Sequence, residues 1–313
     1  MKKEIKKEVG KSENFDYEIL ESSEGNVWKY IFTNDKIVLE SVLYQYESFE
    51  KRTVICCSVQ SGCPVGCTFC GTGKNFLKNL SSDEIIEQVD VVLESKGINK
   101  FTNKIEKFQI MFMSMGEPFL NYSSLKATII KLNEKYPNAE LLVSTVGIKN
   151  DKNFMDFVNL SKAIDKIGLQ FSIHKSTDDE RDKLIPYKNK LNLREIRDMG
   201  LIWSTATGRN TFLNYCIDET NSSDTDAENL MNLFSPVFFN FTFSVICEAD
   251  ETMQNATCKN LDLINGFKEK FMQEGYNTRV FDPAGQDDIG GGCGQLWKVQ
   301  EFLKKKKMER NPI

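Results

Sequence analysis

Three cysteines fall close together in Gly62-Cys63-Pro64-Val65-Gly66-Cys67-Thr68-Phe69-Cys70-Gly71-Thr72-Gly73. Their spacing, three residues and then two, lets one glycine-rich loop wrap an iron-sulfur cubane, with three thiolates on three irons and the fourth iron open to a substrate. Zinc is the competing occupant, but a structural zinc site takes four ligands, and the single histidine, His174, lies about a hundred residues further on. The chain has nine cysteines. In a reducing compartment such a cluster is better explained by metal binding or catalysis than by a disulfide framework.

The elements that must position this loop can be read from periodicity. Val27–Phe32 and Ile37–Tyr44 suggest a hairpin around Thr33-Asn34-Asp35. From Thr53–Cys57 onward, strand-like runs alternate with amphipathic helical stretches. The strand runs are Phe108–Met113, Glu140–Ser144, Leu169–Ile173, Phe212–Ile217, Phe239–Ile246 and Thr278–Phe281. The helical stretches are Asp83–Ser95, Ser123–Lys135, Phe154–Leu160, Leu193–Trp203, Asp226–Phe234 and Asn260–Glu274. Ser81 and Glu84 form a capping-box pattern ahead of the first helix. Such alternation predicts an α/β fold, a parallel sheet covered by helices, with its chemistry at the carboxyl ends of the strands. The cysteine loop follows a strand directly. Cys56 and Cys57 are neighbours on that strand, so one faces the core and the other faces away.

The division expected is a flexible arm over residues 1–25, a small N-terminal β-hairpin cap over 26–52, the catalytic body over 53–296 and a basic tail over 297–313. The 313 residues are 40% hydrophobic and 27% charged, an ordinary globular profile that excludes collagen, coiled coil and disorder. The polar start, Met1 to Glu8, and the lack of any long apolar run point to a cytoplasmic protein with no membrane contact. With 40 Lys+Arg against 45 Asp+Glu, the net charge is −5. Any nucleic-acid contact is therefore a local patch.

The cysteine loop resembles that of the radical S-adenosylmethionine (SAM) superfamily. Four further segments narrow the resemblance: Met115-Gly116-Glu117-Pro118-Phe119-Leu120-Asn121, Ser144-Thr145-Val146-Gly147, Ser172-Ile173-His174, and the run Gly285 to Leu296 containing Asp287-Asp288-Ile289 and Cys293-Gly294-Gln295-Leu296. Together they resemble the RlmN/Cfr family of RNA adenine methyltransferases from about Trp28 to Leu296. The resemblance implies a partial (β/α)6 TIM-type barrel. It implies a 4Fe-4S cluster on Cys63, Cys67 and Cys70, and SAM held by Gly116, Glu117, Ser144, Ser172, Ile173 and His174. It implies catalytic roles for Cys293, which takes a methyl group from one SAM, for Cys56, and for Glu40 as an acid. Adenine carbon 2 or carbon 8 is electron-poor and cannot displace a methyl from SAM. A methyl on Cys293 can instead lose a hydrogen atom to a radical from a second SAM and add to the ring carbon. Loss of the ring proton to Cys56 then releases the product, leaving a Cys56–Cys293 disulfide to be reduced.

Some features depart from the family. Phe243–Glu248 lacks the usual Asn-Pro pair, Gly285-Gln286 stands where Arg-Gly is usual, and the hairpin is preceded by about 25 residues rather than a helical RNA-binding domain. RNA phosphate contacts are assigned to Lys74, Lys78, Arg181 and Lys304–Lys307. The expected partners are rRNA or tRNA and a flavodoxin- or ferredoxin-type electron donor, with the protein acting as a monomer. The alternatives are the same radical chemistry on another nucleic acid, a nucleotide or a small heteroaromatic, and a non-catalytic iron-sulfur or zinc binding module. Cys57, Cys216, Cys247 and Cys258 are read as structural.

Overall fold

The computed structural model describes residues 5–73, 75–246, 261–282, 285, 288–292, 294–296 and 298–310. These form two compact units, the first drawn from residues 5–141 and 285–310, the second from 142–246 and 261–282.

In the first unit, β1 (Lys6–Lys11), β2 (Asp16–Glu21), β3 (Val27–Thr33), β4 (Val38–Tyr46) and β5 (Arg52–Cys56) pair successively antiparallel. The β3/β4 hairpin turns where expected, with Asn34 Oδ1 accepting from the N–H groups of Lys36 (3.0 Å) and Ile37 (3.1 Å). Residues 6–11 and 16–21 are strands, which corrects the expectation of a flexible arm. The Lys/Glu mixture that suggests an arm is a set of cross-strand partners: Lys6–Glu21 and Lys7–Glu18 at 2.7 Å and Lys11–Asp16 at 3.0 Å. Phe15 and Ile19 meanwhile reach the core.

A separate two-stranded clasp follows, β6 (Gln60–Gly62) against β7 (Phe76–Asn79). α1 (Ser82–Ser95) starts on the expected capping box, Glu84 N–H to Ser81 Oγ at 3.2 Å and Ser81 N–H to Glu84 Oε2 at 2.9 Å. The chain then returns in β8 (Lys107–Phe112), parallel to β5. α2 (Tyr122–Lys135) is tied to α1 through Lys131–Asp83 and Lys135–Asp90. β9 (Ala139–Thr145) leads into the second unit.

The second unit is a run of helical crossovers. α3 (Asp151–Ala163) precedes β10 (Ile167–Ser172), α4 (Asp178–Leu184) and α5 (Leu193–Thr207) lead to β11 (Thr211–Cys216), and α6 (Asp224–Leu233) leads to β12 (Phe239–Ser244). α7 (Leu261–Gln273) then leads to β13 (Thr278–Phe281). Strands β10 to β13 pair parallel in that order. This is the strand-helix alternation expected of an α/β fold, and parallel pairing requires such crossovers. The core is aromatic: Phe234, Phe239, Phe241, Phe243 and Phe271 are fully buried, with the Phe241 and Phe271 rings 4.7 Å apart.

The final element, α8 (Lys298–Arg310), belongs to the first unit. Where a basic tail is expected there is a helix, because Val299, Phe302 and Leu303 at helical spacing pack onto the apolar cluster of β3 and β4. Among the described residues no helix is long and apolar enough to cross a membrane.

Truncating a buried ring in the second core leaves a cavity that aromatic neighbours cannot fill. Phe271→Ala should destabilise the protein by about 3–5 kcal/mol in chemical denaturation.

Candidate cluster loop and active site

The cysteine loop is closed at its base by the β6/β7 clasp. Cys63 N–H donates to Asn75 O at 2.8 Å. Gly62 has φ of +77°, and a Cβ there would lie 1.7 Å from the same carbonyl oxygen, so only glycine lets the strands meet this closely. Inside the loop, Cys70 N–H donates to Cys67 O (3.2 Å) and Gly73 N–H to Cys70 O (3.0 Å). Three thiols are thus carried by one tightly folded turn.

Each of these residues keeps part of its surface, yet the sulfurs are enclosed. Burial pushes the Cys63 thiol up to about 12, the Cys67 thiol well above its ordinary value, and the Cys70 thiol up as well. For Cys67 the charges of Cys70 and Cys63 add to the effect, so the sulfurs sense one another. Enclosed, mutually repelling thiolates need a cationic body between them, and binding one would expel their protons. The loop therefore fits an iron-sulfur cluster. Among the described residues no three His, Cys, Asp or Glu side chains are grouped to hold a single metal ion.

The Gly116-Glu117 segment after β8 is fastened to the residues that enter this loop. Met115 O accepts from Val59 N–H (2.9 Å) and Gln60 N–H (3.2 Å), and Glu117 N–H donates to Gln60 Oε1 at 2.9 Å. Gly116 has φ of +101°, and a Cβ there would strike Gln60. Glu117 is 3% exposed, accepts from Phe119 N–H at 3.0 Å, and its charge raises the Cys63 and Cys67 thiols, which puts it beside the loop. Asn121 has a role that sequence reasoning does not assign. Its Nδ2 donates at 2.8 Å both to Val59 O, before the loop, and to Leu80 O, before α1. Its place at the end of the Gly-Glu-Pro segment was the available signal.

The C-terminal segment is held on the same loop. Gly71 N–H donates to Gly294 O (2.7 Å), Thr72 Oγ1 to Leu296 O (2.7 Å), and Gln300 Nε2 to Gly71 O. Cys293 and Lys74 lie outside the described residues. The neighbours of Cys293 are described, and Gly292 N–H donates to Gln295 Oε1 at 2.8 Å. Cys56 and Cys57 divide as strand alternation requires. Cys57 is fully buried, its thiol pushed up to about 12. Cys56 is part-exposed and packs in the cluster that contains Ile289 and Leu296, on either side of position 293. Glu40 is fully buried in an ion pair with Lys29 (2.6 Å), and its charge reaches Cys70. The first unit therefore brings together the three loop cysteines, Glu117, Cys56, Glu40 and the residues flanking Cys293.

Ser144, Ser172, Ile173 and His174 belong to the second unit. The Ser144 and Ser172 hydroxyls are 3.3 Å apart, and Gln170 Nε2 donates to Ser144 Oγ at 3.1 Å. His174 sits at φ of +59° and is 4% exposed, with Nδ1 accepting from Cys216 N–H at 3.2 Å. Burial, helped by Arg181 and Lys175, pushes its pKa down to about 3, so the ring is neutral.

Arg181 is corrected. It is fully buried and donates to the carbonyls of Leu191 (2.7 Å), Val146 and Ser172 (3.4 Å), so it locks its own unit and is no exposed phosphate contact. Lys78 is half-exposed and pairs with Glu84 at 2.8 Å.

No protein-family model matches the chain. The probable dual-specificity RNA methyltransferase RlmN of Pseudothermotoga lettingae is 31% identical over 293 residues, 91% of this chain and 79% of the relative. The Chlorobium phaeobacteroides protein of the same description is 32% identical over 280 residues, 84% and 70% of the two chains. Among solved structures, a radical SAM methyltransferase from Sphaerobacter thermophilus matches with a TM-score of 0.74 and 25% identity over 92% of this chain and 80% of that one. Fold and loop thus define an enzyme class, the radical-SAM methyltransferases, whose chemistry uses SAM and an iron-sulfur cluster. Within that class the chain belongs to the RlmN family.

Two outcomes check this geometry. Asn121→Leu removes the side-chain donor from Leu80 O and leaves Val59 O with only the Leu80 N–H, which should cost about 1–3 kcal/mol in denaturation, with lower iron uptake on reconstitution. The folded pKa of His174 lies below the unfolded value of 6.5, so the unfolded state binds the extra proton and stability falls as pH drops through the window from 6.5 toward 3. Between pH 6.5 and about 5.5 the wild type should lose roughly 1 kcal/mol more than His174→Asn, a residue that tolerates positive φ. Urea titrations at the two pH values measure the difference.

Proposed function

We propose that this protein methylates carbon 2 or carbon 8 of an adenine in rRNA or tRNA, carrying the methyl group on Cys293. The observation that carries this reading is the pair of bonds from Gly71 and Thr72 to Gly294 and Leu296, which hold the backbone on the C-terminal side of Cys293 against the cysteine loop. Cys63, Cys67 and Cys70 would hold a 4Fe-4S cluster. With SAM it supplies one-electron cleavage of a sulfonium, a source of a carbon-centred radical.

The protein's own residues do the rest. Glu117 and Gly116 would offer a carboxylate and a close backbone for the SAM amino group, as the family resemblance implies. Cys293 presents its methyl to the radical. Part-exposed Cys56 takes the proton from the ring carbon, and the surplus electron of the adduct would return to the cluster. The Cys56 sulfur then attacks that of Cys293, so that the S–S bond forms as the bond from Cys293 sulfur to the transferred carbon breaks and that carbon takes up a proton. A flavodoxin- or ferredoxin-type donor would supply the electron for SAM cleavage, and the disulfide needs two electrons and two protons from a cellular dithiol to return to thiols. Phosphate contacts fall to Lys74, Lys78 and the lysines of α8, since buried Arg181 is excluded.

The test is anaerobic reconstitution with methyl-labelled SAM, followed by peptide mass analysis. A one-methyl increment on the Cys293 peptide is expected, absent in Cys293→Ala. Cys56→Ala should retain the increment yet release no methylated adenine from RNA. A wild-type protein with its full cluster and no label on Cys293 would overturn the reading.

A further inference from the structure

Strand alternation puts Val27, Lys29 and Ile31 of β3 and Val38, Glu40, Val42 and Tyr44 of β4 on one face, as their register requires. All but two of these belong to the apolar cluster under the C-terminal segment. The exceptions are the charges. Lys29 and Glu40 are both fully buried and 2.6 Å apart. An ion pair buried among apolar residues seldom repays its own desolvation, so its further contacts matter.

Those contacts go to the segment around Cys293. Lys29 Nζ donates to Gly290 O at 3.2 Å, three residues before it. Glu40 Oε2 accepts from Lys298 N–H at 2.9 Å, five residues after it. Tyr44, from the same face, donates its hydroxyl proton to Gly291 O. The pair thus grips the backbone at the start of the run Gly290-Gly291-Gly292, whose own conformational freedom is large, and again at Lys298, beyond position 293.

We propose that Lys29 is a positioning residue for Cys293, acting with Glu40 as a two-ended anchor for the loop that carries the methyl group. Glu40 holds its place through Lys29 and a backbone amide. The inference rests on the reading that Cys293 is the methyl carrier. A side chain held in one place by its supporting contacts reacts far faster than one that wanders by an ångström.

The test compares wild type with Lys29→Met, Lys29→Arg and Tyr44→Phe in the full chain. One readout is hydrogen exchange of peptides spanning residues 285–298 without cofactor. The other is the single-turnover rate of methyl transfer to Cys293 in the reconstituted enzyme, with iron content as control. Lys29→Met should speed exchange in 285–298, leave it unchanged in β12, keep its iron, and slow Cys293 labelling about 100-fold. Lys29→Arg should recover most of the rate, because a guanidinium can pair with Glu40 and still reach a carbonyl.

Wild-type exchange and labelling in Lys29→Met would overturn the inference. If Lys29→Met fails to fold, Tyr44→Phe decides: faster exchange near Gly291 supports the anchor, and unchanged exchange defeats it. If the wild type is never labelled, the methyl-carrier reading falls, and the exchange result alone judges the anchor.

Discussion

The C-terminal strip meets the loop that carries Cys63, Cys67 and Cys70 through two main-chain carbonyls, those of Gly294 and Leu296, which find donors there. Apolar packing alone would not orient that meeting, because it is not directional. Hydrogen bonds from Gly71 and Thr72 supply direction. They fix the register of one glycine-rich strip against another, where side chains are too small to do so. The same economy appears at Gly62 and Gly116, whose missing Cβ atoms let backbone meet backbone or Gln60 at distances no other residue permits.

Charge is used sparingly and underneath. Lys29 and Glu40 sit within an apolar face, and removing one partner of such a pair usually costs about 3–5 kcal/mol because the other is left buried alone. Each also serves a backbone group of the C-terminal segment, so the pair's placement is tied to register. In the second unit Arg181 plays a comparable part, with its guanidinium spread over three carbonyls and its charge adding to the burial that keeps His174 neutral.

Much of this was legible in the sequence, for reasons that can be named. Crossover helices announce themselves by periodicity and caps, so α1 and α5 fall within a few residues of expectation. The cysteine spacing and the Gly-Glu-Pro turn are local, and local signals survive without tertiary knowledge. What failed was masked by charge. The Lys/Glu alternation of β1 and β2 reads as an arm until the strands are seen opposite one another, and the lysine run of α8 hides the apolar stripe of Val299, Phe302 and Leu303. Arg181 reads as surface because arginine usually is, and nothing local says that three carbonyls will enclose it. Asn121 carries no local sign of its role, since its two acceptors, Val59 and Leu80, lie far back in the chain.

Thr72 and Leu296 are 224 residues apart. At roughly 5–20 residues per second on a ribosome, the cysteine turn emerges some ten to forty seconds before the strip that will cover it. During that interval the turn stands without the two hydrogen bonds that later tie it to the C-terminal strip. The order of synthesis thus gives the turn time to fold on the β6/β7 clasp before its last partner exists.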